Sequence, residues 1–136
     1  MNTKIIMTAS ALLLATIGLL FTFLPAEILQ YFNAAASKPF VLLIQISGAL
    51  YFSFAMLNWM TRSGVFGGIY NKPIIVANLT HFLIGAPALV KAVVANPGLP
   101  PLLWAAAAVY ALFAIYFGIL FMKNPAAKTQ RAGAKQ

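Results

Sequence analysis

Residues 5–24 read IIMTASALLLATIGLLFTFL, twenty consecutive residues without a charge. The hydrocarbon core of a bilayer is crossed by about 20 apolar residues in an α-helix, so this stretch sets the class of protein. Three more runs follow. Phe40–Met60 and Leu102–Met122 also lack charge, and Ile74–Ala95 contains His81 and, near its end, Lys91. In lipid only helices and closed barrels satisfy their own backbone. These runs are continuously apolar and lack the alternation of a barrel strand. The sequence therefore predicts an all-α integral membrane protein, a four-helix transmembrane bundle, as a single transmembrane domain over 1–136. Its expected spans are 5–24, 40–60, 74–95 and 102–122, with a basic tail over 123–136.

Turn-forming residues set the boundaries. Pro25 closes the first run, and Ser37, Lys38 and Pro39 open the second, with proline near the first helical position where its missing N–H costs nothing. Gly64, Gly67, Gly68 and Asn71 mark a loop over Thr61–Pro73, and Asn96, Pro97, Gly98, Pro100 and Pro101 a tight connection. Pro87 lies within the third run and should kink it. Pro25–Asn33 is too short to span. Pro25 and Glu27 suit a first helical turn, and Ile28, Leu29 and Phe32 fall on one side, so a short interfacial helix is expected; an irregular loop is the competing reading. Ala34 and Ala36 form a small-x-small pattern, but far beyond a core longer than the 7–15 residues of a signal peptide. The first span is expected to be retained.

Of the 136 residues 62% are hydrophobic and 7% charged, against about 25% charged in an average globular domain. This excludes a soluble enzyme, a nucleic-acid-binding module and a disordered tail. Cysteine is absent and there is one acid, Glu27, and one histidine. Disulfides, thiol nucleophiles, cysteine-held metals and a paired-carboxylate acid/base are thereby excluded. No cofactor or metal is expected, and the balance leans away from an enzyme.

An even number of spans puts both ends and the Thr61–Pro73 loop on one side. That side carries seven of the nine basic residues: Lys4, Arg62, Lys72, Lys123, Lys128, Arg131 and Lys135. Lys38 and Lys91 fall on the other. The positive-inside rule makes the first side cytoplasmic, and in a bacterium the membrane is the inner one. The tail lysines and arginine are available to anionic lipid at about 1 kcal/mol each. No aromatic residue interleaves them, which argues against nucleic acid.

Helices in lipid associate by close packing and polar contacts. Thr8, Ala11, Ala15, Gly18 and Thr22 form a small-residue stripe on the first span, and Ala107, Ala111, Ala114 and Gly118 another on the fourth. Each is read as a packing face; a face between protomers of a homo-oligomer, or toward a membrane-protein partner, is the alternative. Tyr31, Trp59, Tyr70 and Trp104 lie near span ends, where amphipathic rings favour the interface.

Polar residues inside a span are costly and are functional candidates. Asn78 and His81 share a face of the third span with Gly85 and Ala88. Ser47, Tyr51, Phe54 and Asn58 share one on the second, while Gln45 points elsewhere. Asn58 and Asn78 fall at similar depth, within reach of a hydrogen bond. Two readings follow. Tyr51, Asn58, Asn78 and His81 line a small polar pocket for a quinone, a lipid head group or an apolar ligand, or they satisfy one another as interhelical glue. A proton relay through His81 lacks an intramembrane acid. Haem held by His81 with Met56 or Met60 lacks well-spaced ligands. Glu27 and Lys91, both expected at the outer face, are candidates for a structural ion pair; Lys91 snorkelling alone is the simpler reading.

The chain length, the four spans, Leu24-Pro25-Ala26-Glu27 closing the first of them, and Ser47-Gly48-Ala49-Leu50-Tyr51 through Asn58-Trp59 in the second resemble the DoxX-like group of small bacterial membrane proteins. The resemblance covers Ile5–Met122 and implies a four-span fold and an association with quinol oxidation or thiol metabolism, but carries over no functional residue. Small multidrug transporters also have four spans but depend on an acid within the first, which is absent here. The expectation is a non-catalytic membrane protein, an accessory subunit or a binder of an apolar ligand or lipid. A transporter or channel component built around His81 and a quinone-linked redox protein are the alternatives.

Overall fold

The computed structural model describes residues 3–63 and 71–122. The centre of the glycine-rich loop, with Tyr70, and the basic tail, with Lys123, Lys128, Arg131 and Lys135, lie outside the described residues. The order is α1 (Thr3–Phe23), α2 (Pro25–Tyr31), α3 (Lys38–Thr61), α4 (Asn71–Ala95) and α5 (Pro101–Met122), and among the described residues there is no strand. All but α2 are long and apolar enough to cross a membrane, with mean hydropathy between 1.7 and 2.2. The protein is thus an all-α multi-pass membrane protein. The helices match the expected spans, starting one to three residues earlier in each case, and α1 ends at Phe23, one residue before the expected end.

Two compact units divide the chain, Met1–Ser63 and Gly64–Gln136. In the first, α1 and α3 pair antiparallel: Ser10 meets Asn58, Phe21 meets Tyr51, and Thr22 lies over Gly48. Glycine permits the approach. A Cβ built on Gly18 would stand 2.7 Å from the Phe52 amide nitrogen and 2.9 Å from the Gly48 carbonyl oxygen. One built on Gly48 would stand 2.8 Å from the Thr22 nitrogen and 2.9 Å from the Gly18 carbonyl oxygen. Two backbones touch where neither residue has a side chain, as small residues allow in lipid. Thr22 Oγ1 donates to the Gly18 carbonyl at 2.8 Å, so its hydroxyl is satisfied within its own helix.

Pro25 starts α2, and Phe23, Leu24 and Pro25 mark the break from α1. Asn33 stops it. Its φ of 54° is left-handed, its N–H donates to the Gln30 carbonyl, and the Ala34 N–H donates to Leu29. This pair of bonds is the Schellman arrangement, in which asparagine is the usual substitute for glycine. Pro25 and Leu29 are buried and Glu27 is exposed, so α2 packs its apolar side and leaves its acid outside. At the other end of the unit Arg62 caps α3, its guanidinium carbon 3.3 Å from the Trp59 ring centroid, a cation–π contact.

In the second unit α4 and α5 are antiparallel: Leu79 faces Gly118, Phe82 faces Phe113 and Phe117, and Gly85 faces Tyr110. α4 continues through Pro87. The small-residue stripe on α5 is only part of its packing face. Ala107 is buried, but so are Tyr110 and Phe117, and a Cβ on Gly118 would meet nothing closer than Leu79 Cδ1 at 3.9 Å.

Candidate functional site

His81 lies three turns into α4, about 14 Å along the axis from Lys72 at 1.5 Å per residue. It is half-buried, and the next residue, Phe82, is wholly buried. The geometry of the site starts one turn on, at Gly85. A Cβ there would lie 2.8 Å from both Cδ1 and Cε1 of Tyr110, so the phenol ring rests directly on the α4 backbone. Tyr110 is 4% exposed. Its hydroxyl reaches the imidazole, with Nε2 of His81 and Oη of Tyr110 3.3 Å apart. Either the phenol donates to a bare Nε2 or the ring N–H donates to the phenol oxygen, according to the tautomer. The two ring centroids are 5.6 Å apart, tilted by 50°.

Beneath this pair is an aromatic bed. Phe82 stacks on Phe113 at 4.9 Å and on Phe117 at 5.7 Å, and meets Tyr110 edge to face at 5.1 Å. His81 in turn sits edge to face on Phe82 at 5.0 Å. Aromatic pairs in these arrangements contribute about 0.5–1.5 kcal/mol each beyond area burial. The bed therefore fixes the pair rigidly. The result is a hydrogen-bonding pair, a half-buried imidazole and a buried phenol, on an apolar floor. Among the described residues no three His, Cys, Asp or Glu side chains come together.

The other predicted site residues divide between the units. Tyr51 and Asn58 are on α3 and Asn78 and His81 on α4. Tyr51 packs edge to face on Phe21, ring centroids 5.5 Å apart. Asn58 Nδ2 donates to Ser10 Oγ at 3.1 Å, and Ser10 Oγ donates to the Met7 carbonyl at 3.0 Å. Both residues are fully buried, which makes them a polar staple between α1 and α3. Asn78 Nδ2 donates to the Ile74 carbonyl one turn back at 2.9 Å. Glu27 is on α2 and Lys91 on α4, both exposed; they too belong to different units. So do His81 and the two methionines considered as axial partners, Met56 and Met60.

The chain matches no family model, and no curated protein or solved structure is significantly similar to it. The site is therefore read from its geometry alone.

Sequence reasoning found His81 but not Tyr110, the residue that pairs with it, nor Phe113 and Phe117 beneath. The available signal was Gly85 four residues after His81. A glycine one turn from an intramembrane polar residue makes room for a large neighbour. Ser10 was likewise unrecognised as the partner of Asn58, because a lone serine in an apolar run reads as a small packing residue.

Proposed function

We propose that this protein is a non-catalytic membrane protein that binds an apolar ligand at the His81–Tyr110 pair. The observation that carries the reading is the half-buried imidazole held by a buried phenol over the Phe82–Phe113–Phe117 bed. A polar pair that served packing alone would be best satisfied with both members enclosed. Here the imidazole is only half-buried. A half-buried imidazole–phenol pair beside stacked aromatic rings suits a flat, lipid-soluble molecule with a hydrogen-bonding oxygen, a quinone head group or the ester region of a lipid, with the chain in hydrocarbon. In low dielectric one such bond selects strongly, because an unmatched polar group is costly there.

The reading includes an orientation with both ends cytoplasmic and, if the source is a bacterium, the inner membrane. Each antiparallel unit supports this. Lys4 and Arg62 fall at one end of the first and Lys38 at the other; Lys72 and Lys91 mark opposite ends of the second. With the basic tail, seven of nine positive residues then stay inside, where they meet anionic lipid. Kinship with the DoxX-like group rests on the motifs quoted above.

The test is extraction in mild detergent followed by mass spectrometry of bound lipophilic molecules. Wild type is expected to retain one species enriched over bulk lipid, and folded His81→Leu and Tyr110→Phe to lose it. If wild type carries bulk lipid only, or if both variants keep the species, the pair is a packing device and the proposal fails.

A further inference from the structure

A residue at the end of the first unit points to a phosphate site. Arg62 follows the last turn of α3 and is half-buried. Its guanidinium lies on the Trp59 indole, which has an N–H to donate but no acceptor. Nη1 of Arg62 is enclosed and has no hydrogen-bond partner among the described residues. An enclosed charged donor is costly until it is matched. The chain has little charge to match it with. Its one acid, Glu27, lies on α2, between the end of α1 and the start of α3. The 24 residues of α3, about 36 Å, separate that end of the unit from Arg62. Residues 64–136 contain no Asp or Glu, so no side chain of the second unit supplies the counter-charge. What α1 brings to this end is a second cation. Ser10 meets Asn58 across the antiparallel pair. Lys4 stands six residues before Ser10, about 9 Å, and Arg62 four residues after Asn58, about 6 Å, so the two charges reach nearly the same level.

We propose that Arg62, with Lys4 at the same level, seats one phosphodiester of an anionic lipid. The argument is the chemistry of the unmatched donor. A guanidinium presents its N–H groups as a planar fork that fits two oxygens of a phosphate. Where a transmembrane helix ends, lipid phosphates are the anions at hand. Trp59, 42% exposed, is a ring that favours this depth. Binding draws the guanidinium along the indole until Nη1 faces the second oxygen, while Lys4 adds charge without direction. A single seat of this kind differs from the diffuse attraction of lipid to a basic tail. It rests on the four crossings, which put Arg62 at a head group, and on neither the ligand reading at His81 nor the choice of cytoplasmic side.

The test uses the full chain carrying Trp104→Phe, which leaves Trp59 as its one tryptophan. It is held in nanodiscs of zwitterionic lipid at about 0.15 M salt, where diffuse attraction is screened. Phosphatidylglycerol is titrated in and Trp59 emission is read. The emission is expected to change and then saturate, with one phosphatidylglycerol retained per chain in native mass spectrometry. Arg62→Gln is expected to weaken binding about tenfold or more, the loss of a charged hydrogen bond. Arg62→Lys keeps the charge without the fork and is expected to recover only part of the affinity. Lys4→Gln is expected to weaken binding about fivefold, and Lys38→Gln, at the other end of α3, to change nothing. All variants are compared at equal helicity. An emission that never saturates, Arg62→Gln that binds like the parent chain, Lys38→Gln that loses as much as Arg62→Gln, or inorganic phosphate in detergent acting as well as the lipid overturns the proposal. Ligand retention at His81 and the sidedness of the ends are read in other assays, so failure here leaves both standing.

Discussion

Replacing Gly48 by alanine inserts one methyl group at the α1–α3 crossing. That methyl would stand 2.8 Å from the Thr22 nitrogen and 2.9 Å from the Gly18 carbonyl oxygen. Optimal carbon contacts lie near 3.5 Å, so about 0.6 Å must be found. The Thr22 hydroxyl oxygen, nearer still at 2.5 Å, can turn aside, but these two obstacles are backbone, so no rotamer change relieves them and the helices must separate. A gap of that size forfeits roughly a quarter to a half of each contact well. Over some twenty neighbouring contacts of about 0.15 kcal/mol, the loss is about 0.8–1.5 kcal/mol. Residual strain brings it toward the ~1–3 kcal/mol of overpacked cores. Alanine's higher helix propensity returns up to about 1 kcal/mol. The net expectation is a loss of about 1–2 kcal/mol. Gly118→Ala is the matched control: its new methyl would meet only Leu79 Cδ1, at 3.9 Å, so propensity alone acts and stability should rise by up to about 1 kcal/mol. The assay is reversible unfolding in mixed detergent micelles, followed by circular dichroism. If Gly48→Ala unfolds at the same point as Gly118→Ala, or later, the glycine-mediated approach of α1 and α3 is wrong.

Phe82→Ala should destabilise by about 2.4 kcal/mol, taking roughly 100 Å³ of lost ring at ~24 cal/mol per Å³ of cavity; the transfer contribution is small in lipid, and the same unfolding titration measures it. Tyr110→Phe keeps the ring on Gly85 and removes only the hydroxyl, so the cost should be near 0.6 kcal/mol and at most about 1.7; a loss above 3 kcal/mol would mean that the His81–Tyr110 contact is the structural core of its unit. Asn58→Leu breaks the staple to Ser10, whose hydroxyl still has the Met7 carbonyl, and should cost about 1 kcal/mol, with no change in ligand retention. Asn33→Ala places a Cβ residue without a locally bonding side chain at φ 54° and should loosen α2 by about 1–2 kcal/mol, seen as faster amide exchange in Glu27–Asn33 than in α1.

The helices were legible because lipid imposes a length and proline marks the ends: Pro25, Pro39 and Pro101 each stand at the first or second position of the helix they open. The short α2 was legible from Pro25 and from the side shared by Ile28, Leu29 and Phe32. The facing surfaces were less so. In water an apolar stripe announces which side of a helix is buried. In lipid these helices are apolar all round, so Gly48, Ser10 and Tyr110 carry no mark of their role. Gly18 was recognised as a close-packing position, but its partner Gly48 depends on the antiparallel register, and register is a property of two segments together. The same limit explains His81, whose cost in the membrane was evident while its partner, Tyr110, twenty-nine residues later, looked like one aromatic among many.

The central claim, four crossings with the positive residues kept on the side of both ends, is tested most directly by single cysteines placed one at a time at residues 2, 37, 98 and 130 of this cysteine-free chain. In intact spheroplasts a membrane-impermeant maleimide should label 37 and 98, and should reach 2 and 130 only after permeabilisation. Labelling of 2 and 130 on opposite sides, or release of the protein from the membrane by an alkaline wash, would contradict it.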